Sequence, residues 1–221
     1  MRPLRIALTK GRLEDGAVKL LERAGYPCPA FREKGRRLIL PVAGGSMEAV
    51  LCKAPDVITY VQNGVCDLGI VGKDTILEKG GNFYEMLDLG YGRCRFALAG
   101  PRGLNFFSGY SARTVASKYP NVAAEYFSGK KMDVRIIKIE GSVELAPLLG
   151  LADAIVDLVE TGRTLKENGL EVIETICGVS ARLIVSASSL KFRREEIENF
   201  KSRLETVSRP EKFRTERTEK G

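Results

Sequence analysis

DAIVDLVETGRTL, residues 153–165, is the segment that decides the fold of this chain. Its first half is a run of aliphatic and β-branched residues of strand length. Its second half is a polar turn that contains Gly162 and leads into a short helix that stops at Gly169. Because a strand, a glycine turn and a helix form the repeating unit of α/β proteins, the segment predicts an α/β fold.

The turn in this segment has the chemistry of a phosphate site. Its backbone N–H groups stand at the positive end of a helix, beside the hydroxyls of Thr161 and Thr164 and the guanidinium of Arg163. Asp157 lies four residues before the turn, where its carboxylate is placed to accept hydrogen bonds from a sugar diol. Since glycine turns are also common as purely structural connections, the motif alone leaves both interpretations open.

Composition narrows the possible chemistry. The 221 residues are 44% hydrophobic and 29% charged, with no apolar run long enough to span a bilayer and no secretion signal at the start. The five cysteines form no C-x-x-C pair, which favours a reducing compartment, so we expect a cytoplasmic protein. The absence of histidine excludes Ser-His-Asp and Cys-His catalysis and histidine-ligated metals.

The charge pattern favours small anionic ligands. The formal net charge is +7, but basic and acidic residues are interspersed and no nucleic-acid-binding motif occurs, so neither nucleic acid nor a membrane is expected as a partner. A second glycine loop, Thr9-Lys10-Gly11-Arg12, follows the first predicted strand and carries two cations. These cations are either solvated loop charges or ligands for an anion.

Strands and helices alternate along most of the chain, which predicts a parallel or mixed sheet. Besides the opening segment, the predicted strands cover residues 5–8, 37–42, 47–52, 67–72, 86–89, 94–99, 134–139, 172–176 and 182–186. The predicted helices follow Arg12 and cover residues 55–61, 74–79, 121–127, 142–149 and 193–207, with Asp74 as the cap of the third.

Two segments of the chain echo each other. GVCDLGI at residues 64–70 and GLADAIV at residues 150–156 both place a glycine three residues before an aspartate that opens a strand. The match is either chance or the trace of two similar α/β lobes that face each other across a ligand cleft.

Together these motifs resemble the short form of the ATP phosphoribosyltransferase family over nearly the whole chain. Four further segments carry the resemblance, ALTKGRL at 7–13, PDVITYV at 55–61, GVCDLG at 64–69 and GSVELAP at 141–147, the last running into residues 153–165. One feature departs from the general phosphoribosyltransferase signature, which has two acidic residues before the loop. Val156 replaces the first of them here, so only Asp157 matches.

The resemblance implies an α/β fold of two lobes, like type II periplasmic binding proteins, with mixed sheets and a ligand cleft between the lobes. Lobe I would hold residues 1–92 and 179–221, and lobe II residues 93–178. The composition of residues 208–221, which are charged and almost without apolar side chains, separately predicts a tail from about residue 208. The implied reaction is the displacement of pyrophosphate from phosphoribosyl pyrophosphate by N1 of ATP, with Mg²⁺ on the pyrophosphate and no metal held by the protein alone. The implied partner is a histidyl-tRNA-synthetase-like regulatory subunit, with a homodimer of this chain as the catalytic core of a hetero-octamer.

The resemblance also assigns roles to residues. The loop is expected to hold the 5-phosphate of phosphoribosyl pyrophosphate through Glu160, Thr161, Gly162, Arg163 and Thr164. Asp157 is expected to orient the ribose hydroxyls, with Asp153 or Glu144 as a second contact to the ribose or to Mg²⁺.

The cations of the first lobe are expected to serve ATP and the leaving group. ATP binding is assigned to Lys10, Gly11, Arg12 and Lys53. Catalytic roles on the triphosphate or pyrophosphate are assigned to Lys10, Arg12 and Arg36, because an arginine fork donates two bonds to a phosphate at once.

Two other functions fit part of the pattern. A non-catalytic sensor module of the periplasmic-binding-protein type would bind a small anion, but it would need no loop for a sugar 5-phosphate. A type I phosphoribosyltransferase that acts on a free base would have the loop, but the lone Asp157 and the Lys10-Gly11-Arg12 loop disfavour it.

Overall fold

A computed structural model describes residues 2–109 and 112–208. The chain divides into two compact units, unit 1 with Met1–Gly92 and Ser180–Gly221, and unit 2 with Arg93–Val179. The predicted charged tail lies outside the described residues apart from its first residue, Ser208.

Eleven strands and eight α-helices are assigned within the described residues. The strands are β1 Leu4–Thr9, β2 Ile39–Val42, β3 Met47–Cys52, β4 Leu68–Gly72, β5 Tyr84–Asp88, β6 Cys94–Pro101, β7 Arg113–Ser117, β8 Val134–Lys138, β9 Ala154–Val159, β10 Leu170–Val179 and β11 Ala181–Val185. The helices are α1 Arg12–Arg23, α2 Ala54–Gln62, α3 Lys73–Lys79, α4 Pro120–Gly129, α5 Leu145–Leu148, α6 Arg163–Glu167, α7 Ala187–Phe192 and α8 Arg194–Ser208. Within those described residues, no helix combines the length and apolar character needed to cross a membrane.

Unit 1 is built on a six-stranded mixed sheet in the order β2-β3-β1-β4-β11-β5. β1 pairs in parallel with β3 and with β4, whereas β2, β11 and β5 run antiparallel to their neighbours. Helix α2 lies close against β4 because Gly69 has no side chain, and a Cβ there would stand 2.7 Å from Cγ1 of Val57. The apolar side chains of β1 and β4 are fully buried and form the centre of the core.

Unit 2 is built on a five-stranded mixed sheet in the order β10-β6-β9-β7-β8. β7 pairs in parallel with β8 and with β9. β6 pairs antiparallel with β9, and β10 pairs antiparallel with β6. β9, which lies in the first half of the segment 153–165, is the central strand. The predicted α/β class with mixed sheets in two lobes is therefore confirmed.

Two local predictions were wrong. The helix expected over residues 142–149 is limited to Leu145–Leu148, since Pro147 has no N–H to donate to the turn before it. Asp74 is not the cap of α3, because the helix begins at Lys73 with Gly72 in the cap position and without a side-chain cap bond. In both cases the residue types were typical of helix starts, but the helix begins at a different residue.

The echoed aspartates have the same structural role in the two units. The N–H of Asp67 donates to Arg5 O, and Arg5 N–H donates back to the Asp67 carboxylate, at 2.9 Å each. Asp153 forms the same reciprocal pair with Thr114, at 2.8 and 2.7 Å. In each unit an aspartate therefore fixes the start of an interior strand, β4 or β9, to its parallel neighbour.

Asp67 also ties the ends of the chain together. Its fully buried carboxylate accepts hydrogen bonds from Arg2 Nη1 at 2.6 Å and Arg2 Nη2 at 2.9 Å. It also accepts hydrogen bonds from Ser189 Oγ at 2.7 Å and Arg193 Nη1 at 3.1 Å. Burial alone would raise the pKa of Asp67, but the hydrogen bonds from Arg2, Arg5 N–H and Ser189 outweigh it and hold the pKa below its ordinary value. The returning C-terminal segment is thereby joined to the N-terminal sheet.

We expect Asp67→Asn to lower the free energy of unfolding by about 2 to 3 kcal/mol at pH 7, because the bonds that its buried carboxylate accepts from Arg2, Arg5 N–H and Ser189 lose their charged acceptor. The measurement is urea unfolding followed by circular dichroism. The control is Glu196→Gln, which removes a half-exposed partner of Arg193 and should cost about 0.5 kcal/mol.

The stability that Asp67 contributes should also depend on pH. Since the pKa of Asp67 is lowered in the folded protein, its contribution is present above its ordinary value of 3.8 and is lost as the pH falls through the folded-state value. An equal loss of stability in the Asp67→Asn and Glu196→Gln variants would contradict this role.

Candidate phosphate and carboxylate site

The loop after β9 has the geometry expected of an anion site. Gly162 adopts a left-handed conformation with φ of 77° and stands directly before α6. The N–H of Arg163 donates to Thr161 Oγ1 at 3.3 Å, and the side chains of Thr161 and Thr164 are exposed. The first turn of a helix leaves further N–H groups unbonded within the helix, so this loop can bind a phosphate through its backbone and hydroxyls.

The side chain of Arg163 has a partner in this structure. Its Nε donates to Glu167 Oε1 at 2.7 Å, an exposed pair one helical turn apart. Such exposed pairs contribute little free energy, so the guanidinium can exchange Glu167 for a phosphate.

Asp157 carries the most perturbed carboxylate of unit 2 among the described residues. It lies half-buried on the central strand, opposite Ala97 of β6. Burial raises its pKa to about 6, and the charge of Glu144 adds to the rise, while the Leu158 N–H and the charge of Lys118 oppose it. Among residues 2–109 and 112–208 no salt bridge involves Asp157. A desolvated carboxylate of this kind is suited to accept hydrogen bonds from a ligand.

The structure brings Glu144 to this site but not Asp153. Glu144 is half-buried at the start of α5, near enough to Asp157 to affect its pKa. Asp153 precedes the first residue of β9, about 20 Å along the strand from the loop, and its carboxylate is engaged with Thr114 N–H. Glu144 is thus the second carboxylate that the fold places beside Asp157.

Unit 1 gathers cations at the carboxyl ends of its parallel strands. Thr9 and Cys52 are register partners, so Lys10 and Lys53, which follow them, are neighbours. The Lys10 N–H donates to Cys52 O at 2.9 Å, and both lysine side chains are exposed. Gly11 has a φ of 88°, and the exposed Arg12 is the first residue of α1. These cations form a positive edge suited to a polyphosphate.

Arg36 lies on an exposed turn of the same unit. The turn is closed by a bond from Arg37 N–H to Lys34 O at 3.0 Å. Lys34 forms an ion pair with the buried carboxylate of Glu14 on α1, which anchors this segment to the helix that Arg12 begins.

Lys118 is a residue near Asp157 that was not predicted from the sequence. This exposed lysine follows β7, and its charge acts on both Asp157 and Glu140. The available signal was a hydroxyl residue followed by lysine at a strand end, as in Thr9-Lys10. Over the part of the chain that the structure describes, no three acidic or sulfur ligands gather in a metal-binding group.

Comparison with known proteins points to a single family. A family model described as "HisG: ATP phosphoribosyltransferase" matches residues 53–206. An ATP phosphoribosyltransferase of Clostridium kluyveri is 58% identical over 204 residues, which cover 92% of this chain and 93% of that protein. One from Clostridium novyi is 51% identical over 211 residues, 95% and 98% of the two chains.

Solved structures agree with the sequence relatives. The structure described as "ATP phosphoribosyl transferase (HisG:HisZ) complex from Thermotoga maritima" is similar with a TM-score of 0.79 and 35% identity, over 93% of this chain and 98% of that one. The VFT2 domain of Bordetella pertussis BvgS is similar with a TM-score of 0.58 and 12% identity, over 92% and 87% of the two chains. The second likeness concerns the fold alone.

We expect Asp157→Asn to stabilise the folded protein by about 1 to 3 kcal/mol at pH 8, since neutral asparagine avoids the cost of a desolvated charge. Because the folded-state pKa is raised to about 6 from 3.8, the cost of Asp157 grows as the pH rises between these values and is constant above them. Urea unfolding at pH 8 and pH 5 measures the effect, which should be smaller at pH 5.

The matched control is Asp133→Asn, at an exposed aspartate of the same unit. A gain in stability that is equal at the two pH values, or that Asp133→Asn reproduces, would show that desolvation of the Asp157 carboxylate does not destabilise the folded protein.

Proposed function

Since this chain belongs to the ATP phosphoribosyltransferase family, we propose that the residues described above divide between the two substrates of its reaction. The enzyme transfers the phosphoribosyl group of phosphoribosyl pyrophosphate to N1 of ATP and releases pyrophosphate, the first step of histidine biosynthesis. The reaction passes through an oxocarbenium-like state, which needs a held 5-phosphate, an oriented ribose and cations on the leaving group. It requires no histidine.

Unit 2 binds phosphoribosyl pyrophosphate in this proposal. Its 5-phosphate lies in the loop made by Glu160, Thr161, Gly162, Arg163 and Thr164, and its ribose hydroxyls donate to Asp157, with Glu144 beside it. The observation that carries the assignment is that β9 holds a half-buried carboxylate with a raised pKa, Asp157, and is followed directly by the glycine loop. A sugar that carries both a phosphate and a diol would match a loop and a carboxylate so close together.

Unit 1 binds the polyphosphates. Lys10, Arg12 and Lys53 are neighbours at one sheet edge, where Gly11 lets the backbone turn. They bind the triphosphate of ATP, and Lys10 and Arg12 also withdraw charge from the leaving pyrophosphate. Arg36 acts on the same groups from its anchored turn.

Mg²⁺ enters on the substrate. The residues present fit such an ion, because magnesium is usually held by one or two carboxylates together with substrate phosphates, and Asp157 and Glu144 are two neighbouring carboxylates. When bound, the ion neutralises charge on the pyrophosphate as it leaves.

We further propose that the chain works with a regulatory subunit. Its solved relative from Thermotoga maritima was determined as a HisG:HisZ complex. The proposed partner is a histidyl-tRNA-synthetase-like subunit, with a homodimer of this chain as the catalytic core of a hetero-octamer. A cytoplasmic location is part of the proposal, since all five cysteines are free thiols, which suits a reducing compartment.

The sensor alternative is not favoured. Relatives more than 50% identical over most of this chain are named as ATP phosphoribosyltransferases, whereas the VFT2 domain shares the fold at 12% identity. Incubating the protein with ATP, phosphoribosyl pyrophosphate and Mg²⁺, with and without the regulatory subunit, tests the function through the absorbance of N1-ribosylated adenine. No product in either arm would refute it, and product from free adenine instead of ATP would favour a free-base phosphoribosyltransferase.

Arg12→Ala is expected to lower turnover about 100-fold or more, because one cation on the developing pyrophosphate charge is lost. Its unfolding midpoint should match that of the wild type, since Arg12 is exposed at the start of α1. Lys19→Ala, at an exposed lysine of the same helix, is the control and should retain full turnover. Wild-type turnover in Arg12→Ala would remove this residue from the mechanism.

Thr161→Ala is expected to weaken phosphoribosyl pyrophosphate binding about tenfold or more, because a hydroxyl bond to a charged phosphate is lost. Calorimetric titration with phosphoribosyl pyrophosphate and Mg²⁺ measures it. Thr175→Ala, at an exposed threonine of β10, should bind as the wild type does. If the two variants give the same isotherm, the phosphate loop assignment fails.

A further inference from the structure

The first parallel strand of each unit ends in a hydroxyl residue that bonds to the neighbouring interior strand and is followed by a lysine. β1 ends at Thr9, whose hydroxyl donates to Ile70 O of the neighbouring interior strand at 3.0 Å, and Lys10 follows. β7 ends at Ser117, whose buried hydroxyl donates to Val156 O of β9 at 2.6 Å, and Lys118 follows.

The two carbonyls occupy equivalent positions. Ile70 and Val156 both lie three residues after the echoed aspartates, Asp67 and Asp153. The donors differ by one residue in register, because Ile70 pairs with Leu8 whereas Val156 pairs with Ser117 itself. Lys118 and Lys10 therefore share a position after a hydroxyl residue at a strand end, and the placement of Lys118 follows from its own register.

Strand register places Lys118 beside the ribose carboxylate. Ser117 and Val156 are partners in the parallel pairing of β7 with β9, so the next residues, Lys118 and Asp157, are neighbours across the two strands. The effect of the lysine charge on the pKa of Asp157 agrees with this placement. The ammonium thus stands on the β7 side of Asp157, whereas the phosphate loop continues from β9 itself.

The charge of Lys118 is available for a ligand. Its side chain is exposed, and within residues 2–109 and 112–208 no salt bridge holds its ammonium. Glu140, the other carboxylate on which Lys118 acts, is held by Lys138 at 2.7 Å. An exposed ammonium beside a carboxylate that binds sugar hydroxyls matches an anionic group attached to the same sugar.

We propose that Lys118 is a substrate-binding residue that holds the C1 pyrophosphate of phosphoribosyl pyrophosphate from unit 2. The proposal rests on the assignment of this substrate to unit 2. The loop after β9 takes the 5-phosphate, Asp157 takes the hydroxyls, and Lys118 takes the anion at the other end of the ribose. A lysine suits this position because its three donors can follow pyrophosphate as it leaves without a fixed planar geometry.

The test compares three variants. Lys118→Met removes the charge and approximately keeps the side-chain length, and Lys118→Arg restores the charge. Arg135→Met is the control, because it removes an exposed cation near the start of β8, whereas Lys118 follows the end of the parallel neighbour β7. The measurements are KM for each substrate, inhibition by inorganic pyrophosphate, and calorimetric binding of pyrophosphate with Mg²⁺. Circular dichroism establishes that each variant is folded.

We expect Lys118→Met to raise KM for phosphoribosyl pyrophosphate and to weaken pyrophosphate binding, each about tenfold or more, with KM for ATP within about twofold. Lys118→Arg should recover most of the loss, and Arg135→Met should behave as the wild type. Unchanged pyrophosphate binding in Lys118→Met, or an equal loss in Arg135→Met, would overturn the proposal.

The two proposals can fail separately. If the wild type forms no N1-ribosylated ATP, the proposed function is refuted by that assay alone. Calorimetric binding of pyrophosphate still decides the role of Lys118 in that case, because it requires no turnover.

Discussion

A reciprocal hydrogen-bonded pair between an aspartate and a neighbouring strand sets the register on which both units depend. Asp67 with Arg5, and Asp153 with Thr114, fix the starts of β4 and β9 against parallel neighbours. A shift of one residue in either pairing would turn every side chain to the other face of the sheet. Because the starts are fixed, the residues at the carboxyl ends of β1, β7 and β9 are also aligned. Those ends carry Lys10, Lys118, Asp157 and the glycine loop after β9.

Asp153 and Asp157 show why spacing alone does not assign function. Asp153 directly precedes β9 and Asp157 lies within it, four residues further on, yet their environments are opposite. Asp153 accepts a backbone N–H and completes the sheet, whereas Asp157 is desolvated and has its pKa raised to about 6. In the sequence both are carboxylates near a phosphate loop. Only the direction of the strand shows that one stands at the ligand end and the other at the opposite end.

Much of the fold could be predicted because it follows from local patterns. Alternating strands and helices, the glycine turn at Gly162 and the echoed aspartates all depend on short segments, and the mixed sheets agree with them. The errors concern helix starts, where Pro147 shortens α5 and where α3 begins at Lys73 without a side-chain cap. A hydroxyl residue followed by lysine was the only sequence signal for Lys118, and it gains significance only from the parallel pairing of β7 with β9.

The distribution of charge explains how a chain without histidine can organise this reaction. The ends of β1 and β3 present only cations, Lys10 and Lys53, which suits a polyphosphate that carries several negative charges. The ends of β7 and β9 present a lysine and a carboxylate side by side, which suits a sugar with hydroxyls and an attached anion. In the proposed reaction the unfavourable desolvation of Asp157 would be offset on binding, because ribose hydroxyls and a cation carried by the substrate would supply hydrogen-bond and charge partners.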